Sequence, residues 1–401
     1  MKPVAALCKA ASLVLAGSVA LAVRAPALSA RDGTRVQRVV VGRGSALAAC
    51  DGLESSNANR ARTRFPRNAE LAFRGRLSGG IGQAPASDSA GNLIVAHGEP
   101  RLSKLGPKAQ TLWSERLPSE ASCAPVVLAN GAILIVTRDG DALYFSSSGK
   151  LEHKHALPFS ETSRHTVAIP TGSGGALVAR GSELVQLDAE GRVERRTRAK
   201  TDVSALAESG SNLVAIGADG SVQLARASGD FETVGGFGGA VTDGAAVRAG
   251  SVFAIVDAHK WLALDLNDGQ VTTLATDSAL TLTGPAALFA TQGAALIADG
   301  GFVSTRRGDG SEALRIPLSN FGAGFDPALR GLRPALVISD RDGALAAVRS
   351  GSDALVVSPE GSVVHIESTS CLDPFRPTPT PSGLVFTCRS GQLFGVSDKA
   401  P

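Results

Sequence analysis

Residues 124–158 read APVVLANGAILIVTRDGDALYFSSSGKLEHKHALP. An apolar start runs into Asn130-Gly131, and a second apolar run, 132–136, ends at Arg138-Asp139-Gly140. A third strand, DALYF, leads to Gly149 and then to the polar stretch LEHKH. Asn-Gly and Asp-Gly are hairpin signals, because glycine enters positive φ without a steric penalty. Four short strands joined by such turns in roughly 40 residues are the unit of a β-propeller blade.

The unit recurs along the chain. Copies open at Ala84-Pro85-Ala86, at Ala124-Pro125-Val126, near Val167, near Ser204, near Ala245, at Pro285-Ala286-Ala287 and at Pro334-Ala335-Leu336. An eighth opens at Pro381-Ser382-Gly383, continues through 384–387 and 392–396, and stops one strand short. Residues 70–77, ELAFRGRL, form a spare strand ahead of the first copy. The expected fold is therefore all-β: an eight-bladed β-propeller of four-stranded antiparallel blades. The N-terminal strand closes the last blade and removes a free sheet edge.

The N-terminus reads differently. Lys2 and Lys9 precede an uncharged apolar run, 10–23, that is too short to span a bilayer and is followed by small residues. Residues 1–30 are expected to be a signal peptide, so the mature chain is exported, periplasmic or extracellular, with no membrane span. Residues 31–68 are expected to be a disordered Arg-rich linker, with the propeller covering 69–401. Leu47-Ala48-Ala49-Cys50 resembles a lipobox, but Arg38 and Arg43 interrupt the segment before it.

Charge divides along the same lines. Residues 1–30 hold Lys2, Lys9 and Arg24 and no acid, which leaves 37 basic and 37 acidic residues in the mature chain. Residues 31–68 carry eight arginines against Asp32, Asp51 and Glu54, so the remaining body is mildly acidic. A body of that sign lacks the electrostatic footprint of a nucleic-acid binder.

Cys50, Cys123, Cys371 and Cys388 remain after signal removal. An oxidising compartment permits two disulfides. Cys371 and Cys388 lie at the same end of the last blade and are a candidate pair; Cys50 and Cys123 would pair only if the linker folds back. Neither CxxC spacing nor a zinc pattern among the six histidines is present.

Segments such as GNLIVAHGEPRLSKLGPKAQTLW and SGLVFTCRSGQLFGVSD resemble the quinoprotein-type (PQQ-like) propeller repeat: Gly, apolar strand, Leu-Tyr-Ala-Leu-Asp, Gly, Trp. The likeness covers 69–398. That family includes quinone-dependent dehydrogenases and non-enzymatic relatives. The enzymes carry a bracing Trp in nearly every blade, an adjacent cysteine pair and a Ca²⁺ site. Here only Trp113 and Trp261 are present, and Cys-Cys is absent. The resemblance therefore implies the non-enzymatic branch, with no cofactor.

Other motifs reduce to turns. Asp265-Leu266-Asn267-Asp268-Gly269 has the wrong spacing for a calcium loop, and Thr276 stands where the bidentate acid belongs. Arg307-Gly308-Asp309 sits in an inter-strand turn where Gly and Asp are expected anyway. Arg138, Asp139, His259 and Lys260 fall in turns between second and third strands. His165 and Asp202 precede first strands and belong to the same rim, where propellers commonly bind ligands. These six are the candidate binding residues; no catalytic or metal-ligating residue is assigned. The leading expectation is a binding or scaffolding propeller for a protein or envelope component. The alternative is an enzyme at the channel mouth, either a degenerate quinoprotein dehydrogenase or a polymer hydrolase or lyase.

Overall fold

A computed structural model of the chain describes residues 60–61, 64–160, 165–226 and 229–276. It then describes 282–288, 294–298, 302–307, 309–317, 335–339, 344–348, 354–358, 362–366, 371 and 373–399. Chain contacts divide the molecule into residues 1–38 and 39–401, and every described residue belongs to the second unit. The expected signal peptide, the lipobox-like segment, Cys50 and most of the linker lie outside the described residues.

Among the described residues there is no helix, and the strands form eight sheets. The quoted stretch shows how local sequence builds one. Val126–Val127, Ile133–Val136, Asp141–Phe145 and Leu151–Ala156 pair in that order, each antiparallel to the last. The second and third strands are buried because they are covered on both faces, so apolar residues run continuously there instead of alternating. The fourth strand is mostly exposed and polar.

Neighbouring sheets meet mainly through their first strands, from the first sheet to the seventh, and Ala86–Ser87 of the first also meets Thr378–Thr380 of the eighth. The first strands therefore crowd towards a common axis. Pro170, Pro285 and Pro379 sit in first strands. The axial edge tolerates them because no further strand needs their missing N–H. On the outside, the pairing of third and fourth strands slips by one residue in seven of the eight sheets. Such bulges twist the outer edge and discourage pairing with another chain.

The seam between the first two sheets shows what joins adjacent sheets. Lys104 is buried, and its ammonium reaches the Asp88 carboxylate in its own sheet at 2.9 Å and the Ser147 carbonyl of the next at 3.0 Å. The Trp113 indole N–H donates to the same carbonyl at 3.1 Å. Gly149 lies under the Trp113 ring at φ +92°, where a Cβ would collide with the indole. Burial alone would raise the Asp88 pKa. The hydrogen bonds from Asn92 and Lys104 outweigh it and hold the carboxyl below its ordinary value.

The last sheet departs from the reading in one detail. Its first strand is Thr378–Thr380, and Pro381-Ser382 form the turn into Gly383–Thr387. Proline's fixed φ suits a turn position, so the Pro-Ser-Gly signal marks the hairpin and not the strand opening. Gln392–Asp398 follows, and Ala69–Arg76 pairs antiparallel with it as the outer strand, from Ala69 opposite Asp398 to Arg76 opposite Gln392.

The chain leading into that strand is anchored in three places. Arg60–Ala61 pairs in parallel with Ala335–Ser339, on the axial edge of the seventh sheet. Phe65 is 2% exposed and packs among residues of the seventh and eighth sheets. The backbone N–H groups of Arg67 and Asn68 donate to the Asp398 carboxylate at 2.7 and 3.1 Å. The linker expectation covered 31–68; of these residues, Arg60, Ala61 and 64–68 are described, and they lie against the sheets.

Cys371 and Cys388 are bridged, with Cα atoms 5.5 Å apart. The bond ties the loop before the last sheet's first strand to the turn after its second. Peptide mass spectrometry of unreduced protein is expected to show the 371–388 link. Reduction should cost at most about 3 kcal/mol, since a loop of this size restricts the unfolded chain by that amount. Alkylation of both thiols without reductant would contradict the bridge. Cys123 is buried and carries no disulfide among the described residues.

Candidate functional site

Strand direction alternates within each sheet, so turns between second and third strands share one end with the loops that enter first strands. Arg138 and Asp139 occupy the Val136–Asp141 turn, and His259 and Lys260 follow Val256 in the fifth sheet. His165 precedes Thr166–Pro170 and Asp202 precedes Val203–Ser209. All six belong to this rim, distributed over the second to fifth sheets. All are exposed except His259, which is half-buried. The Arg138–Asp139 turn is tied both to the loop beside it and to Arg180 of the next sheet.

Arg138 shows the pattern. Its backbone N–H donates to the Glu120 carbonyl at 2.8 Å, and its guanidinium meets the Glu120 carboxylate at 2.7 Å. The Asp139 N–H lies 3.4 Å from the Ser119 hydroxyl. In the fifth sheet, the Asp257 N–H donates to the Ala240 carbonyl, and the Asp257 carboxylate accepts from the Ala240 N–H and lies 3.9 Å from the Lys260 ammonium. The Asp202 carbonyl accepts from the Ala218 N–H. Asp219, next in that turn, accepts from the Ser221 hydroxyl and N–H and from Thr201; these bonds hold its carboxyl below the ordinary value.

The structure adds residues that spacing could not identify. Arg180 is 6% exposed at the end of Ala176–Arg180. It donates to the Thr137 carbonyl at 2.8 Å and the Thr166 hydroxyl at 3.2 Å, and its guanidinium lies 5.2 Å from the centre of the Phe159 ring. Burial pulls its pKa down, and the nearby Cys123 and Asp139 oppose that. Glu183 is equally enclosed. It accepts from the Ser160 N–H and hydroxyl and pairs with Arg196 and Arg198 at 3.0 and 3.3 Å. Arg389 covers Phe375 and donates to the Gly82 carbonyl. Only the dipeptide Arg180-Gly181, ending an apolar strand, marked the first of these in the sequence.

One network, buried except at Ser78 and Ser114, has the geometry of a nucleophile and its base. His97 Nδ1 lies 3.1 Å from the Ser78 carbonyl and Nε2 lies 2.9 Å from Ser103 Oγ, which is 2.9 Å from Ser114 Oγ. A carbonyl only accepts, so this network assigns the proton to Nδ1 and leaves Nε2 to accept from Ser103. Burial lowers the His97 pKa and favours the neutral ring. His97 and Ser103 are only 4% and 3% exposed, so a substrate carbonyl does not reach the pair. The network satisfies core polar groups.

The turn at 257–258 is strained. Asp257 and Ala258 hold φ of +51° and +59°, and alanine gains nothing from that region. Ala258→Gly is expected to stabilise the protein by about 0.5–1 kcal/mol, the relief of the Cβ clash less the added freedom of the unfolded chain. Chemical denaturation measures it; an unchanged or lower midpoint would contradict the strain. Among the described residues, no three His, Cys, Asp or Glu side chains are grouped to hold a metal ion.

No family model matches the chain, and no curated protein matches it. Its fold is similar to that of BamB from Moraxella catarrhalis, at 13% identity and a TM-score of 0.61, over 82% of this chain and 99% of that one. The computationally designed Ika8 protein is similar at 14% identity and 0.59, over 82% and 100%. Virginiamycin B lyase from Staphylococcus aureus is similar at 9% and 0.52, over 82% and 99%. With four-stranded antiparallel sheets meeting through their first strands, this likeness defines the fold class as β-propeller. No helix among the described residues is long and apolar enough to cross a membrane.

Proposed function

We propose that the chain is an exported, eight-bladed propeller of the non-enzymatic quinoprotein-type branch, closed by Ala69–Arg76 in its last blade. On this reading it binds or scaffolds a protein or envelope component through the rim carrying Arg138, Asp139, His165, Asp202, His259 and Lys260. The supporting observation is how that rim holds its charges. Arg138 is fixed by Glu120, Lys260 faces Asp257, and Asp219 is held by Ser221 and Thr201. Charges fixed in place on a rigid scaffold suit recognition of a complementary surface. A general base needs a pKa drawn towards neutrality. Among the described residues, the carboxylates whose pKa is displaced, Asp219 on this rim and Asp88, Asp188, Asp309 and Glu312 elsewhere, are all displaced downward.

The test places a photo-crosslinking amino acid at position 202 of the mature protein and exposes it to the envelope fraction of its source cells. A discrete product is expected, lost in the Arg138→Glu/Lys260→Glu variant. The same product from a crosslinker at Asn130, on the opposite rim, would overturn the assignment. Consumption of an envelope polymer by the purified protein would establish the alternative, an enzyme at the channel mouth.

A further inference from the structure

The outer strand of the second sheet, Leu151–Ala156, carries His153 and His155 two residues apart, on one face of the strand. Their rings stack with centroids 6.1 Å apart and planes inclined by 28°. His153 stands opposite Tyr144 and His155 opposite Ala142 in the adjacent strand. Lys154, between them, points to the other face, where its ammonium meets the Asp141 carboxylate at 2.9 Å. The one nearby cation on this strand is thus turned away from the imidazoles.

Two polar atoms on this face lack partners. His155 Nε2 is buried with no hydrogen bond, and so is the Tyr144 hydroxyl across the strand pair. A buried polar atom left unpaired costs about 1–3 kcal/mol. At Ala142 the cross-strand neighbour of His155 offers only a methyl group. With the ring proton on Nδ1, Nε2 presents a lone pair that the fold does not use.

We propose that His153 and His155 form a two-imidazole site for a divalent transition-metal ion of the Cu²⁺, Ni²⁺ and Zn²⁺ group. Neutral imidazole nitrogen is the ligand these ions prefer over the oxygen donors that suit Mg²⁺ and Ca²⁺. Metal–nitrogen bonds of roughly 2.0–2.1 Å place the centroids of two imidazoles sharing an ion about 5–6.5 Å apart, so the observed spacing needs only rotation of the rings. The protein supplies two ligands here, and the remaining positions go to water or to a side chain of a bound partner. Affinity should follow the general order in which Cu²⁺ binds most tightly.

The mature full-length chain, without added histidines, is titrated by calorimetry with CuCl₂, NiCl₂ and ZnCl₂ near neutral pH. One saturable ion per chain is expected, tightest for Cu²⁺, with coupling to two imidazole nitrogens in the Cu²⁺ EPR spectrum. His153→Ala and His155→Ala should each weaken binding by roughly tenfold or more while leaving the melting temperature near that of the parent. His165→Ala/His259→Ala should leave binding unchanged. A parent EPR spectrum without coupling to two nitrogens would overturn the site, as would undiminished binding in the His153→Ala/His155→Ala variant or no saturable uptake at millimolar ion.

Discussion

Deleting residues 69–76 is expected to lower the melting temperature by on the order of 10 °C, or to prevent folding altogether. The deletion removes the outer strand of the eighth sheet and its whole ladder with Gln392–Asp398. Leu393 and Val396, now buried, would lose that cover. Lost apolar burial and backbone pairing together amount to about 5 kcal/mol or more. The new edge would also be open to pairing with other chains. A finer probe lies inside the same ladder. Phe73 pairs with Gly395, and its ring occupies the place a Cβ at 395 would take. Gly395→Ala should therefore cost about 1–3 kcal/mol through overpacking. Phe73→Ala/Gly395→Ala should cost less than the sum of the single changes, because the clash disappears with the ring. A deletion variant that melts with the parent would refute the role given to this strand.

Phe65→Ala is expected to cost about 3–5 kcal/mol, the range for emptying a buried aromatic site. The ring is 2% exposed among Ala346, Val356, Phe386 and Phe394, beside the Cys371–Cys388 bridge. These neighbours belong to two sheets and a covalent crosslink, so they cannot collapse readily into the cavity. The change should lower the denaturant midpoint and speed tryptic cleavage at Arg60, Arg62, Arg64 and Arg67, since Phe65 is the apolar anchor of that segment. A midpoint and a cleavage rate equal to the parent's would show that the segment does not dock.

Phe65 also shows why part of this structure was hidden in the sequence. A window rich in Arg, Ser and Asn reads as linker because its average composition cannot bury a core. A single aromatic within it can still enter a cavity built by residues roughly 280–330 positions away. The rim follows the same logic. That Arg138, Asp139, His259 and Lys260 lie in turns was legible, because strand spacing and Asp-Gly signals are local. That Glu120, Ser119 and Ala240 would hold those turns was not, because the loops supplying them come from elsewhere in the chain.

The strands, their turns and their repetition are written in residue order alone. Alternation, continuous apolar runs and Gly-bearing turns act over a few residues, so residues 124–158 specify a four-stranded unit without help from the rest. A strand short at one end and spare at the other also pointed to the pairing of Ala69–Arg76 with Gln392–Asp398. How the units are locked together emerges once the sheets have assembled. Lys104 reaches Ser147, Arg180 reaches Thr137, Phe65 fills a seam and His155 is left with an unused nitrogen because of what neighbouring strands and sheets present. Those contacts depend on the direction and exact height of backbones that meet only after the sheets have assembled, and no periodicity along the chain encodes them.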